Sequence, residues 1–386
     1  MNELYNNKHF ILNPILFAFW ILIFVTIINS NKYHASIAFI LYPVIIVFLF
    51  CLIFLRFELK RIIGYIPILL ICILTVYSTV KSDVVEWGTT STSFILFAIL
   101  YVLLTIRKFG SHDIKLIFKF YAYMTLLLSI WLLINVILSN NLVDGRVSLT
   151  ILGIRKDENY LSSYLSFGFY YFISAFFWGK KKKSFLLLAG IIFIAVFMTG
   201  SRGGLISILI AFAIILIKYL FADGINTRHL MYFLIIIFFG LFIYFALSES
   251  TLFFRMSDTE GYTENIRLTI WEYAMEGFWN KPWIGSGIQS GTYYAQLHVR
   301  WYTHSCFIDM LTSIGLLGTS IFGFQYIKFC RVKKGNIFFL IGLLVILFMP
   351  LMFINGYETA TFWVPMALCK ITSDYCKYGN FNEILK

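Results

Sequence analysis

The stretch SFLLLAGIIFIAVFMTGSRGGLISILIAFAIILIKYLF, Ser184 to Phe221, holds two apolar runs separated by Thr199 to Gly204. The run from Ser184 to Met198 has hardly a polar atom, and the one from Leu205 to Phe221 has little more. Runs of this length suit helices that cross the hydrocarbon core of a bilayer. In lipid the backbone must satisfy its own hydrogen bonds, which a helix does. TGSRGG is therefore a tight turn at one membrane face, and it carries an arginine between small residues.

The pattern recurs along the chain of 386 residues, which is 60% hydrophobic and only 13% charged. A soluble domain carries about twice that charged fraction. The runs predict an all-α polytopic membrane protein with about twelve transmembrane helices. They lie near 11–29, 35–55, 62–80, 92–106, 116–138, 160–178, 184–200, 203–221, 230–247, 304–327, 337–354 and 359–373. The 92–106 and 359–373 runs are short enough for a partly re-entrant path. The leading MNELYNNKHF has one lysine and no small-residue cleavage site follows the first run, so that run reads as a retained helix. Cysteines 51, 72, 306, 330, 369 and 376 have no paired spacing and predict neither a disulfide framework nor a zinc site.

The net charge of +12 invites a nucleic-acid partner, but its distribution speaks against one. With the N-terminus inside, the inner segments hold twenty basic residues, from Lys8 through Lys180–Lys183 to Lys386, against six in the outer loops other than 248–303. This positive-inside bias predicts a multi-pass membrane protein with both termini cytoplasmic. Arg202 then faces outward, where that bias disfavours arginine.

Two connections are long, and both are outer: 139–159, SNNLVDGRVSLTILGIRKDEN, and 248–303. Nothing marks a domain boundary, so residues 1–386 read as one membrane domain with an outer loop at 248–303. Inside that loop ENIRLTIWEYAMEGFWNKP (264–282) has helical periodicity, with Ile270, Trp271, Ala274, Met275 and Phe278 on one face and Pro282 as a stop. Trp271, Trp279, Trp283 and Trp301 suit an amphipathic helix lying along the headgroup layer. A packed lid helix without chemistry fits the same pattern.

Arg202 opens a helix whose N-terminal amides already carry partial positive charge, an unfavourable place for a guanidinium unless an anion joins it. Gly203 and Gly204 would let a ligand approach the backbone. Arg267 falls in the first turn of the loop helix, a second arginine in the same position. One interfacial arginine reads as a snorkelling anchor, whereas two so placed point to an anion site, since guanidinium pairs phosphate in bidentate fashion. In WYTHSCFIDMLTSIGLLG (301–318), His304 stands at the outer mouth of a helix, where a neutral imidazole can take a proton. Lone histidines at membrane boundaries are mostly structural, and Asp309, about 140° around the helix, is badly placed to orient this one. Glu358 in NGYETA, with Asp157, Glu158 and Asn159, completes the outer polar groups, which loop solvation also explains. GSGIQSG (285–291) follows no strand and faces outward, which excludes a nucleotide loop. No acidic pair is spaced to hold a metal.

Taken in order, these segments resemble a known family. TGSRGG opening a helix is one shared motif, and NIRLTIWEYAMEGFWNKPWIGSGIQSGTYY, with an arginine and a tryptophan before proline and Gly-x-Gly, is similar to another. HSCFIDMLTSIGLLG and DENYLSSYL complete a likeness to the O-antigen polymerase and ligase superfamily of bacterial envelope glycosyltransferases. The likeness runs from Arg146 to Gly318. One departure is Glu158, where the family usually has proline before asparagine.

The resemblance implies an outward cavity in which a glycan on undecaprenyl pyrophosphate moves to a sugar hydroxyl. Arg202 and Arg267 would bind the donor pyrophosphate and His304 would assist the acceptor. Arg146, Asn159, Gly203, Gly204, Trp271 and Glu358 would line the substrate. The expected enzyme is a metal-independent, inverting glycosyltransferase without cofactor, a polymerase of O-antigen or capsule. Its partners would be the lipid-linked donor and acceptor, membrane lipid and a chain-length regulator, with no nucleic acid. The alternatives are the ligase, with the same donor and a lipid A core acceptor, and a lipid-linked oligosaccharide flippase. Against the flippase stands the expected lack of charged or broken helices near mid-membrane.

Overall fold

The computed structural model describes residues 18–23, 63–222 and 262–385, apart from positions 87, 107, 140, 141, 144, 145, 148, 152, 153, 180 and 181. The expected runs at 35–55 and 230–247 lie outside the described residues, as does all of the first run but 18–23, which is helical. Every other apolar run is a helix. In chain order these are α1 (Ile66–Val80, after a 3-10 turn at Ile63–Tyr65), α2 (Thr89–Thr105), α3 (Ser111–Ser139), α4 (Glu158–Trp178), α5 (Lys183–Met198) and α6 (Arg202–Ala222). Two loop helices follow, α7 (Tyr262–Asn280) and α8 (Ser290–His298). Then come α9 (Cys306–Phe329), α10 (Ile337–Phe348), α11 (Ala360–Cys376) and the short α12 (Asn382–Leu385). Five stretches are long and apolar enough to cross a membrane: Ile63–Val80, Ser111–Leu138, Arg202–Tyr219, Cys306–Phe329 and Lys334–Phe353. The chain is a polytopic helical membrane protein.

Several expectations shift. Both short runs form continuous helices, α2 and α11, of 17 residues each, the second enclosing Pro365. The 139–159 connection departs from an all-α chain with two small antiparallel hairpins. Leu142–Val143 (β1) pairs with Arg146–Val147 (β2), and Leu149–Ile151 (β3) pairs with Ile154–Lys156 (β4). Asp-Gly and Leu-Gly stand between the paired strands in sequence, the composition of two-residue hairpin loops. The 337–354 run divides: α10 ends at Phe348, Met349–Phe353 tightens to 3-10 around Pro350, and Ile354 is extended.

Helix α4 is the axis of the bundle, packing against α3, α5, α6 and α10. Without a hydrophobic drive between helices in lipid, close packing of small residues supplies the association. Ser162, Ser163, Ser166 and Ser174 are all buried on α4. Any side chain at Gly168 would overlap Thr125 of α3. Beside that contact Tyr121 stacks on Phe167 with ring centres 4.2 Å apart. On α3, Leu127, Trp131, Ile134, Ile137 and Leu138 are exposed, as a lipid-facing side requires. Lys218 lies at one end of the bundle, donating to the Gly335 carbonyl at 2.6 Å. Lys333 donates to the Tyr378 carbonyl nearby, so this end is basic. At the other end α4, α6, α9 and α11 begin.

Helix α9 is broken, which sequence reading did not anticipate. Gly315 has φ 64° and ψ −168°, a conformation essentially confined to glycine. The break is filled by the turn between α7 and α8. Leu316 and Leu317 N–H donate to the Pro282 and Trp283 carbonyls at 2.9 and 3.1 Å. In return, Ser286 and Gly287 N–H donate to the Thr312 and Ser313 carbonyls at 2.8 and 3.2 Å. A Cβ at Gly285 or Gly315 would run into the opposite backbone. Gly-x-Gly and Ile-Gly-Leu-Leu-Gly are thus the two halves of one joint. Gly315→Val should therefore cost roughly 1–3 kcal/mol of backbone strain and a similar amount of overpacking. Gly323→Val, with nothing within 4 Å of its Cβ position, is the control on the same helix. Thermal unfolding of the two variants in detergent should differ by several degrees, and equal melting would remove the joint's structural role.

Candidate functional site

Helix α6 begins where TGSRGG predicts. Gly200 has φ 63°, and Ser201 caps the helix by accepting from Gly204 N–H at 3.4 Å. The same hydroxyl donates to Asn159 Oδ1 at 3.0 Å. Arg202 is the first residue of α6 and is half-buried. The Cβ positions of Gly203 and Gly204 face protein: one meets the Phe353 ring, the other Ser162. Helix packing accounts for their small size, and the Gly204 N–H is already donated to the Ser201 hydroxyl.

Asp157 caps α4, its Oδ1 accepting from Asn159 N–H at 2.8 Å and Tyr160 N–H at 3.3 Å. Glu158 is consequently the first helical residue. Proline is favoured there for its fixed φ and an acid for the helix dipole, so the departure at 158 keeps the local geometry.

Phe353 joins two of the predicted residues. Its ring closes on Gly203, beside Arg202, and the Arg267 guanidinium carbon lies 5.7 Å from the ring centre. Arg267 does not occupy the first turn of its helix, because α7 starts at Tyr262 and Arg267 is its sixth residue. The dipole argument for Arg267 therefore fails, since that field fades beyond the first turn. Trp271 is also reassigned in its contacts: its indole N–H donates inward to the Thr303 carbonyl at 2.9 Å. Trp279, Trp283 and Trp301 are the exposed tryptophans of the group.

His304 has φ 48°, in the left-handed region where histidine is among the few tolerated side chains. Both neighbours are held by one group. The Thr303 hydroxyl donates to Asn355 Oδ1 at 3.1 Å, and Ser305 N–H donates to the same oxygen at 3.0 Å. The Asn355 carbonyl accepts from the Tyr160 hydroxyl at 2.5 Å. The Trp301 and His304 rings lie 6.3 Å apart.

Two acids in these segments are buried. Asp309, 2% exposed, accepts from the Thr292 hydroxyl at 3.5 Å and so faces α8. Glu358, 4% exposed, accepts from Gln289 Nε2 at 3.1 Å. Gln289 has φ 62° and precedes α8 directly. Burial, and then the Glu358 charge, push the Tyr357 phenol well above its ordinary range, keeping it protonated. Arg146 lies in β2 opposite Val143, and its side chain is outside what the structure describes. Among the described residues no group of three or more His, Cys, Asp or Glu could hold a metal ion.

The Phe353–Asn355 segment thus meets the start of α6 at Gly203, the Arg267 guanidinium, and the two neighbours of His304, while Asn159 holds Ser201 and Glu358 pairs with Gln289. Sequence reading missed Phe353, Asn355 and Gln289. Pro350 was the available signal that the apolar run stops before Phe353.

Fold and site define a polytopic helical membrane protein in which the segments carrying Arg202, Arg267 and His304 each contact Phe353 or Asn355. Residues 185–323 match the family model described as O-antigen ligase, consistent with the resemblance to the O-antigen polymerase and ligase superfamily. The matched span takes in TGSRGG, the loop helices and the His304 segment. Among curated proteins none matches the chain.

Proposed function

We propose that the chain is a surface-polysaccharide polymerase working as one domain at the outer face of the bacterial inner membrane. It transfers a glycan from undecaprenyl pyrophosphate to a sugar hydroxyl of another lipid-linked repeat. The observation that carries this reading is Phe353, which keeps the start of α6 with Arg202 and the guanidinium of Arg267 on one ring. Two guanidinium groups and the α6 amides compensate the charge that develops on the departing pyrophosphate. His304 accepts the hydroxyl proton as the acceptor attacks the anomeric carbon from the side opposite the leaving group, inverting it. The α7–α8 loop, within 248–303, covers the site, and Trp279, Trp283 and Trp301 anchor it at the headgroups.

The ligase is the second reading, favoured by the description of the matched family. Donor and chemistry are shared, so the acceptor separates them. A chain-length regulator would partner the polymerase. The break in α9 is the feature a flippase would need, but its freed backbone groups are taken by residues 282–287 instead of lining an open polar site. Purified protein with a synthetic undecaprenyl pyrophosphate-linked repeat, in the presence of a chelator, is expected to give a product ladder. Unaltered substrate would mean a transporter, and a strict need for divalent ion would overturn the arginine-only scheme. In cells, deletion should leave one attached repeat, whereas loss of every attached repeat identifies the ligase.

A further inference from the structure

We propose that Asn355 is a positioning residue that fixes the backbone of His304 in its productive orientation, a step that rests on the transfer chemistry assigned to His304. A single oxygen, Asn355 Oδ1, accepts from the residue before the histidine and from the residue after it, at 3.1 and 3.0 Å. Thr303 and Ser305 are 0% and 2% exposed, so neither donor has water as an alternative partner. Between them His304 sits at φ 48°, a conformation that costs free energy and persists only where its surroundings over-determine it. Asn355 supplies that constraint from across 50 residues of chain.

Asn355 is itself held from both sides. Its carbonyl takes the Tyr160 hydroxyl at 2.5 Å, and the chain after it turns sharply at Gly356, φ 120°, where Thr359 N–H and hydroxyl both donate to the Gly356 carbonyl. Tyr160 follows Asn159, which holds Ser201 at the cap of α6. Trp271 closes the other side on the Thr303 carbonyl. One chain of hydrogen bonds therefore runs from the start of α6, next to Arg202, through α4 and Asn355 to the two neighbours of His304. Such a path sets the separation between the leaving-group site and the base, the quantity that transfer in line depends on. An error of about 1 Å there can cost as much as 100-fold in rate.

The test compares Asn355→Ala, Asn355→Asp, Thr303→Val and His304→Ala as purified full-length proteins on the lipid-linked repeat. Asn355→Ala is expected to lower kcat at least about tenfold while the donor KM stays within about twofold. Asn355→Asp keeps the accepting oxygen and should recover most of the rate. Thr303→Val removes one of the two bonds and should fall between wild type and Asn355→Ala, which keeps the proposal testable if Asn355→Ala fails to accumulate. Wild-type kcat in Asn355→Ala or Thr303→Val overturns the positioning role, as does Asn355→Asp being no better than Asn355→Ala at every pH. Full turnover by His304→Ala would instead remove the base itself, a distinct result.

Discussion

Arg202→Ala and Arg267→Ala should each abolish long glycan chains, with turnover of the lipid-linked repeat falling about 100- to 1,000-fold. The size follows from what each side chain does as the donor breaks. Pyrophosphate is a good leaving group only while its charge is compensated. Arg202 stands at the helix end where backbone amides also point, and Arg267 reaches the same place over Phe353. Removing one guanidinium leaves part of that charge uncompensated. Lysine should restore only part of the rate at either position, because a point charge cannot make the bidentate pair. If both arginines grip one diphosphate, the double variant should be little worse than either single one, as with groups that act as a unit. Losses that multiply would place them on different partners, and wild-type polymer from either variant, at normal membrane levels, would end the anion-site argument.

What could be read from the sequence was whatever depended on local pattern. Apolar run length located the helices, because lipid forces a helix wherever a run is long enough. Arg202 and His304 stood out because each is a polar group at an awkward point of an apolar pattern. The misreadings were non-local. Asn355 meets Tyr160, 195 positions away, and nothing around either residue announces the other. Gly285 sits against Gly315, which lies in an apolar run whose pattern reads as one continuous helix. Arg267 shifted from the first to the second turn because Tyr262 and Thr263 extend α7 beyond its apolar periodicity. Phe353 was hidden at the end of a hydrophobic run, where one more phenylalanine carries no signal.

Replacing His304 should cost about 100- to 10,000-fold in transfer, the span over which positioned acids and bases contribute. Alanine alone gives an ambiguous answer, since at φ 48° it loses the imidazole and also strains the backbone. Asparagine separates the two effects. It is at home in the left-handed region, so it keeps the bonds of Thr303 and Ser305 to Asn355, yet it cannot accept a proton near neutral pH. His304→Asn should therefore melt like the wild type, bind the donor with unchanged affinity and still fail to transfer. His304→Ala should be as inactive and also less stable. The mechanism further requires that the acid limb of the pH–rate profile disappear from whatever activity remains in His304→Asn, because that limb reports the imidazole. A stable His304→Asn protein with normal turnover would leave the histidine a structural residue. The proton of the attacking hydroxyl would then have to go to Glu358 or to solvent.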